Sequence, residues 1–390
     1  PRSSTPNTTK SRFSASGGRR KFQPLENEVG LISNRWKTTR VHTSSHRALD
    51  QAHVWHPYTR ASAVAEGSLP VIVRGEGLHL VDDQGRRYVD AIASWWCVAL
   101  GHGHPAVVTA IQRQAGELQH SILGNLSHPR AAELAAQLAG LMPTPDRHVL
   151  FAGDGASAVE QALKMAVQYQ HNLGQTRRTR VACIAEAYHG DTLGAMAVGY
   201  QEAWHHPFRK LLAEAVVLPW QAGAAGRARA WLERLEAHAD ELAAVIVEPL
   251  CLGAAGMKLY PAAWLTAVAD WCRAHGVVLI VDEIAMGFGR TGRWFAFEHA
   301  GIDPDIVCLG KALTAGYLPL SATVARDSIY RTFDDAHTLQ HGHTFCGNPI
   351  ACAAALAALQ VYRELDAPRL ARELESVLRE VLSELTGHPR

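Results

Sequence analysis

Short runs that are apolar throughout, stretches of helical period between them, and a chain of 390 residues that is 47% hydrophobic together predict an α/β fold. Strands of that kind are buried on both faces, so the sheet is mainly parallel and flanked by helices. The first element differs: VIVRGEGLHLVDDQGRRYVDAI (71–92) alternates apolar and polar residues on both sides of DDQG, where Gly85 can take a positive φ, and reads as a small antiparallel meander. The apolar runs follow as HVLFAG (148–153), VACIAE (181–186), LAAVIVEP (242–249), GVVLIVDEI (276–284), DIVCLG (305–310) and PLSATVA (319–325). SAVEQALKMAVQYQ, RARAWLERLEAHADEL and PAAWLTAVADWCRAHG carry helical period between them, and two amphipathic helices near 349–363 and 367–386 close the chain. No internal repeat interrupts this order.

Residues 1–48 are rich in Ser, Thr, Arg and Lys, with Glu26 and Glu28 as the sole acids. They predict a disordered basic extension. Such a leader also has the composition of an organelle transit peptide, but no cleavage pattern is evident, and an unstructured extension of a cytoplasmic protein is the reading preferred. A net charge of +1 gives no global field to recruit nucleic acid or membrane, which leaves small molecules as partners. Seven scattered cysteines without a CxxC pair fit reduced, buried thiols rather than disulfides or zinc. No apolar run approaches the roughly 20 residues that span a bilayer.

In a sheet of this kind ligands bind beyond the carboxyl ends of the strands. HVLFAG is followed by GDGASAVE, where Gly153 and Gly155 allow close backbone approach and a helix start favours a phosphate. VACIAE leads to AYHGDT with Tyr188, His189 and Asp191, GVVLIV to Asp282 with Glu283 beside it, and DIVCLG to Lys311. Taken singly these read as a tight turn, a packed aromatic, a helix cap and a solvated lysine. Together they are the parts that hold pyridoxal 5'-phosphate. The lysine forms an imine with the aldehyde, the aspartate keeps the pyridine nitrogen protonated so that the ring accepts electrons, and an aromatic plate sets the ring plane. Gly310, before the lysine, would leave room for the cofactor.

The chain resembles the class III aminotransferases of the fold-type I pyridoxal-phosphate enzymes through VDEIAMGFGRTGRWFAFEHAGIDPDIVCLGKALTAG, GDGASAVE, AYHGDTLGAM and TFCGNPIACAAALA. HVWHPYT (53–59), DAIASWWCVALGHGHP (90–105) and HGHTFCGNP (341–349) narrow the resemblance to the biotin-synthesis branch. That branch implies ping-pong transfer of the amino group of S-adenosyl-L-methionine to 8-amino-7-oxononanoate, giving 7,8-diaminononanoate. The resemblance assigns imine formation and proton transfer to Lys311, the pyridine nitrogen to Asp282, ring stacking to Tyr188, and the phosphate to the amides of Gly155 and Ala156. It further implies that Thr344 reaches the phosphate in a neighbouring subunit, which makes the protein a homodimer. Trp55, Tyr58, Trp95 and Trp96 would line the substrate pocket, although each Trp also reads as ordinary aromatic core.

By the same resemblance, residues 49–104 begin a smaller α+β domain, 105–340 form the large cofactor-binding domain, and 341–390 return to the small one. The C-terminal part of that small domain is incomplete, since the family continues past GHPR into a segment supplying an arginine for the substrate carboxylate. Ala156 replaces a usual Ser or Thr, Leu252 a usual Gln and Ala255 a usual Gly, while Met286 and Cys346 are also uncommon. Three alternatives stand beside this reading: another class III ω-aminotransferase or aminomutase, a catalytically silent pyridoxal-phosphate-binding protein, and a metal site at GHGHP (101–105), His205–His206 or HGH (341–343). The last lacks acids or thiols at ligand spacing.

Overall fold

The computed structural model describes residues 45–220 and 227–385 and divides at Val71. In the first unit, helices His46–His53 and Ala61–Ala65 are joined by hydrogen bonds. Ser45 caps the first helix by accepting from Ala48 N, and Gln51 Nε2 donates to Val64 O at 3.0 Å. Of the predicted extension 1–48, residues 1–44 lie outside the described residues, and His46 already opens a helix. Trp55 and Tyr58 belong to this unit and are exposed.

The second unit begins with the predicted meander, β1 (Ile72–Glu76), β2 (His79–Asp82) and β3 (Arg87–Val89), paired antiparallel in that order. Asp82 closes the β2–β3 turn by accepting from Gln84 N and Arg86 N, and Gly85 takes φ 78° as its position requires.

Seven strands make the main sheet: β4 (Arg147–Ala152), β5 (Arg180–Ile184), β6 (Val216–Leu218), β7 (Leu242–Val247), β10 (Val278–Asp282), β11 (Ile306–Leu309) and β12 (Ser321–Arg326). A two-stranded hairpin, β8 (Cys251–Leu252) with β9 (Lys258–Leu259), lies between β7 and β10 in the chain. The order is β4-β12-β11-β10-β7-β5-β6, and β12 alone runs against its neighbours. The cause is the short Gly310–Leu320 connection from β11, because a parallel return needs a longer crossover.

Strand alternation divides the core into two layers. Val245, Val247, Leu279 and Val281 face one cluster with Trp231, Trp264 and Phe297. Ala244, Ile246, Val278 and Ile280 face the other, under Ala158, Val159, Ala162 and Met165 of the helix Gly155–Asn172. All residues of β7, β10 and β11 are buried, so these strands form the middle of the sheet. All seven cysteines are free, six of them buried. No helix of the described residues is long and apolar enough to cross a membrane.

Candidate active site

The carboxyl ends of β4, β5, β7, β10 and β11 share one edge of the sheet with the start of β12, as the pairing registers require. After β4 the chain turns through Gly153 and Asp154 into the helix Gly155–Asn172. The Asp154 carboxylate accepts from Ser157 N at 2.9 Å and from Ser157 Oγ at 2.8 Å. The first-turn amides of Gly155 and Ala156 have no acceptor within the helix, and with the helix dipole they form an anion cradle. Gly190 lies against it: at φ 117°, a Cβ there would sit 2.4 Å from Ala156 Cβ and 2.9 Å from Ala156 Cα.

Asp282 ends β10 and is 4% exposed. Its Oδ1 accepts from Ile284 N at 3.0 Å, and Oδ2 lies 2.7 Å from Nδ1 of the buried His189. Tyr188, half-buried, donates from its phenol to Asp191 Oδ2 at 3.0 Å and meets the edge of Trp204 at 6.5 Å between centroids. Asp191 Oδ1 in turn faces His205 Nε2 at 3.5 Å.

Lys311 follows β11 with φ 42°, and its Nζ stands 5.5 Å from the centroid of Trp96. Among the described residues it makes no ion pair with a carboxylate. Trp96 rests on Gly253, where a Cβ would lie 3.1 Å from the ring, and its carbonyl accepts from Arg290 Nη2 at 2.9 Å. The turn that carries it is unusual: Ala93, Ser94, Trp95 and Trp96 have φ of 47°, 46°, 60° and 70°. Left-handed backbone at four successive L-residues is strained and needs external support. Asp90 provides it, accepting from Ser94 N at 2.9 Å and Ser94 Oγ at 2.7 Å with His102 Nε2 at 2.9 Å.

The structure thus brings Gly155, Ala156, Tyr188, Asp282, Lys311 and Trp96 to one edge. Trp95 is 57% exposed on the same strained turn. Thr344 is exposed on a turn after His343, whose ring lies beside the cradle: a Cβ on Gly153 would meet it at 3.5 Å. A Cβ on Gly310 would meet Ile284 at 3.2 Å, so the glycine also lets the loop pack against that side chain. Among the described residues, no group of three or more His, Cys, Asp or Glu side chains is placed to hold a metal.

Sequence reasoning passed over one buried acid, Glu248, and gave its neighbour in kind, Glu283, no role. Glu248, directly after β7, accepts from Tyr188 N and from Gly253 N, both at 2.9 Å. Burial pushes its carboxyl up to about 7 against the pull of His189. Glu283 accepts from Phe297 N at 2.8 Å, and burial pushes it up to about 8. Their signal in sequence is an acid placed directly after an all-apolar run.

The class-III aminotransferase family model matches residues 61–389. The chain belongs to that family. This class-III aminotransferase is 42% identical over 341 residues to the adenosylmethionine-8-amino-7-oxononanoate aminotransferase of Nitratidesulfovibrio vulgaris, covering 83% of the chain and 63% of the relative. The enzyme of the same name from Synechococcus elongatus is 42% identical over 351 residues, covering 87% and 81%. The crystal structure of that aminotransferase from Methanocaldococcus jannaschii superposes with a TM-score of 0.83 at 36% identity, over 88% of this chain and 80% of the other. An amine transaminase from an uncultivated Pseudomonas species, solved in its pyridoxal-phosphate-bound form, gives 0.79 at 34%, over 85% and 79%.

Pyridoxal phosphate is the cofactor of this fold-type I family, and the site fits it. The cradle of Gly155 and Ala156 suits a phosphate, the His189-backed carboxylate of Asp282 suits a pyridinium nitrogen, and Lys311 presents an amine without a carboxylate counter-ion among the described residues.

Proposed function

We propose that this aminotransferase moves the amino group of S-adenosyl-L-methionine to 8-amino-7-oxononanoate, giving 7,8-diaminononanoate in two successive half-reactions. The observation that carries the reading is the 42% identity to relatives named for that donor and that acceptor. The aromatic wall beside Lys311 agrees with it, because a sulfonium cation is favoured over the face of a ring.

Bound pyridoxal phosphate supplies an electrophilic aldehyde and a ring that accepts the electron pair released at a substrate Cα. The amides of Gly155 and Ala156 hold its phosphate. Asp282, fixed by Ile284 N and His189, keeps the ring nitrogen protonated, and Tyr188 sets the plane of the ring. Lys311 Nζ tethers the cofactor and takes and returns the proton at the substrate Cα. Trp95 and Trp96 line the substrate pocket. Thr344 completes the phosphate site of a second copy, so the working form is a homodimer.

The test is the absorbance of the purified chain with pyridoxal phosphate. A cofactor band that disappears in Lys311→Ala and is bleached by S-adenosyl-L-methionine is the expected result. A band that ignores this donor but responds to simple amines would move the reading to the amine transaminases, which the Pseudomonas neighbour at 34% identity represents. No band would end the assignment.

A further inference from the structure

β7 is the middle strand between β10, which ends in Asp282, and β5, which leads to Tyr188. The residue that follows β7 therefore stands between the acid and the aromatic plate of the site. That residue is Glu248, 4% exposed. Its two carboxylate oxygens are divided between two turns: Oε1 accepts from Tyr188 N and Oε2 from Gly253 N. The first turn carries the phenol ring, and the second is the floor on which Trp96 lies beside Lys311. Its backbone is fixed as well, since Glu248 O accepts from Tyr260 Oη at 2.6 Å.

We infer that Glu248 is a positioning residue of the transamination site, whose carboxylate clasps the Tyr188 turn to the Gly253 turn and so holds the cofactor's aromatic plate and the Trp96 wall in register. The inference rests on the transaminase reading given above. A carboxylate is suited to this place because it accepts at both oxygens. Glutamine of the same shape accepts at one and turns an N–H against the other amide, while the protonated acid keeps a strong acceptor only at its carbonyl oxygen and a weak one at its hydroxyl. The groups facing the carboxylate are His189 after β5, Asp282 at the end of β10, and Cys251 and Tyr260 around the hairpin. His189 favours the anion, Asp282 opposes it, and burial opposes it most. The clasp is therefore complete above neutral pH and half-open below it.

Hydrogen exchange of the full chain, with and without pyridoxal phosphate, reads the clasp directly at the amides of Tyr188 and Gly253. Corrected for intrinsic exchange, the protection of both should rise by about tenfold between pH 6 and pH 9, the worth of one charge-assisted hydrogen bond. Glu248→Gln should lose that rise and raise the KM for the amino donor by about tenfold, with kcat changed less. Protection that is flat with pH in the wild type overturns the proposal, and that profile needs no variant to fold. So does a Glu248→Gln chain with both amides still protected and KM unchanged. Because the cofactor-free chain reports on the clasp alone, a chain that shows the clasp but binds no pyridoxal phosphate would refute the transaminase reading instead.

Discussion

Gly190→Ala tests the packing on which the phosphate cradle depends. The φ of 117° lies where an L-residue is disfavoured, and the new methyl would stand 2.4 Å from Ala156 Cβ and 2.9 Å from Ala156 Cα. The second contact is with backbone, so no rotamer relieves it. Either the start of the helix Gly155–Asn172 moves or the Tyr188–Asp191 turn does. The conformational part costs about 1–2 kcal/mol, and forcing a methyl into filled space about 1–3 kcal/mol. The variant should therefore lose about 2–5 kcal/mol in urea unfolding of the cofactor-free chain. The displaced amides should weaken pyridoxal phosphate binding by about tenfold, the worth of one hydrogen bond to an anion. Adding Ala156→Gly removes the 2.4 Å contact but neither the backbone contact nor the φ, so the double variant should recover only part of the loss. A Gly190→Ala chain within about 0.5 kcal/mol of wild type, with unchanged cofactor affinity, would refute the reasoning.

Asp282→Asn keeps an acceptor for Ile284 N but removes the charge paired with the ring nitrogen; cofactor binding should persist in a spectral titration while kcat falls on the order of 10²–10³-fold. Trp96→Ala removes the ring beside Lys311 Nζ, and the KM for a sulfonium donor should rise about fivefold, as expected for about 1 kcal/mol of cation–π attraction. Burial raises Glu283 from 4.5 to about 8, so the folded chain binds a proton that the unfolded chain releases between those values. Stability from this group is thus full below pH 4.5 and is lost as pH rises through about 8, by at most about 5 kcal/mol. Glu283→Gln should flatten that slope in urea unfolding series, and an unchanged slope would clear Glu283 of the effect. Arg147, its side chain fully buried, pairs with Asp303 and donates to Pro304 O at 2.6 Å. Arg147→Met leaves Asp303 paired with Arg326 at 2.8 Å and with Thr144 but strips Pro304 O of its donor, and should cost about 1–3 kcal/mol by the same assay.

What the sequence made legible follows from how strongly each feature is written in it. The six apolar runs are six strands of the sheet, because a strand buried on both faces has to be apolar at every position. β6 and the β8–β9 hairpin escaped, since two or three residues give no period to detect. The reversal of β12 escaped for another reason: an apolar run carries no direction, and the short Gly310–Leu320 loop is the one clue. At the site, Asp282, Tyr188 and Lys311 were legible because each lies at or within a few residues of the end of a strand, where local order fixes the place. Glu248 occupies the same kind of place after β7, yet its role depends on Tyr188 and Gly253, one of them sixty residues away. The strained Ala93–Trp96 turn was hidden too, because nothing in SWW announces left-handed backbone; only Asp90 and His102, brought together by the fold, make it tenable. A chain thus declares the groups that touch a ligand more readily than the groups that hold them still, since the first are placed by local order and the second by tertiary contact.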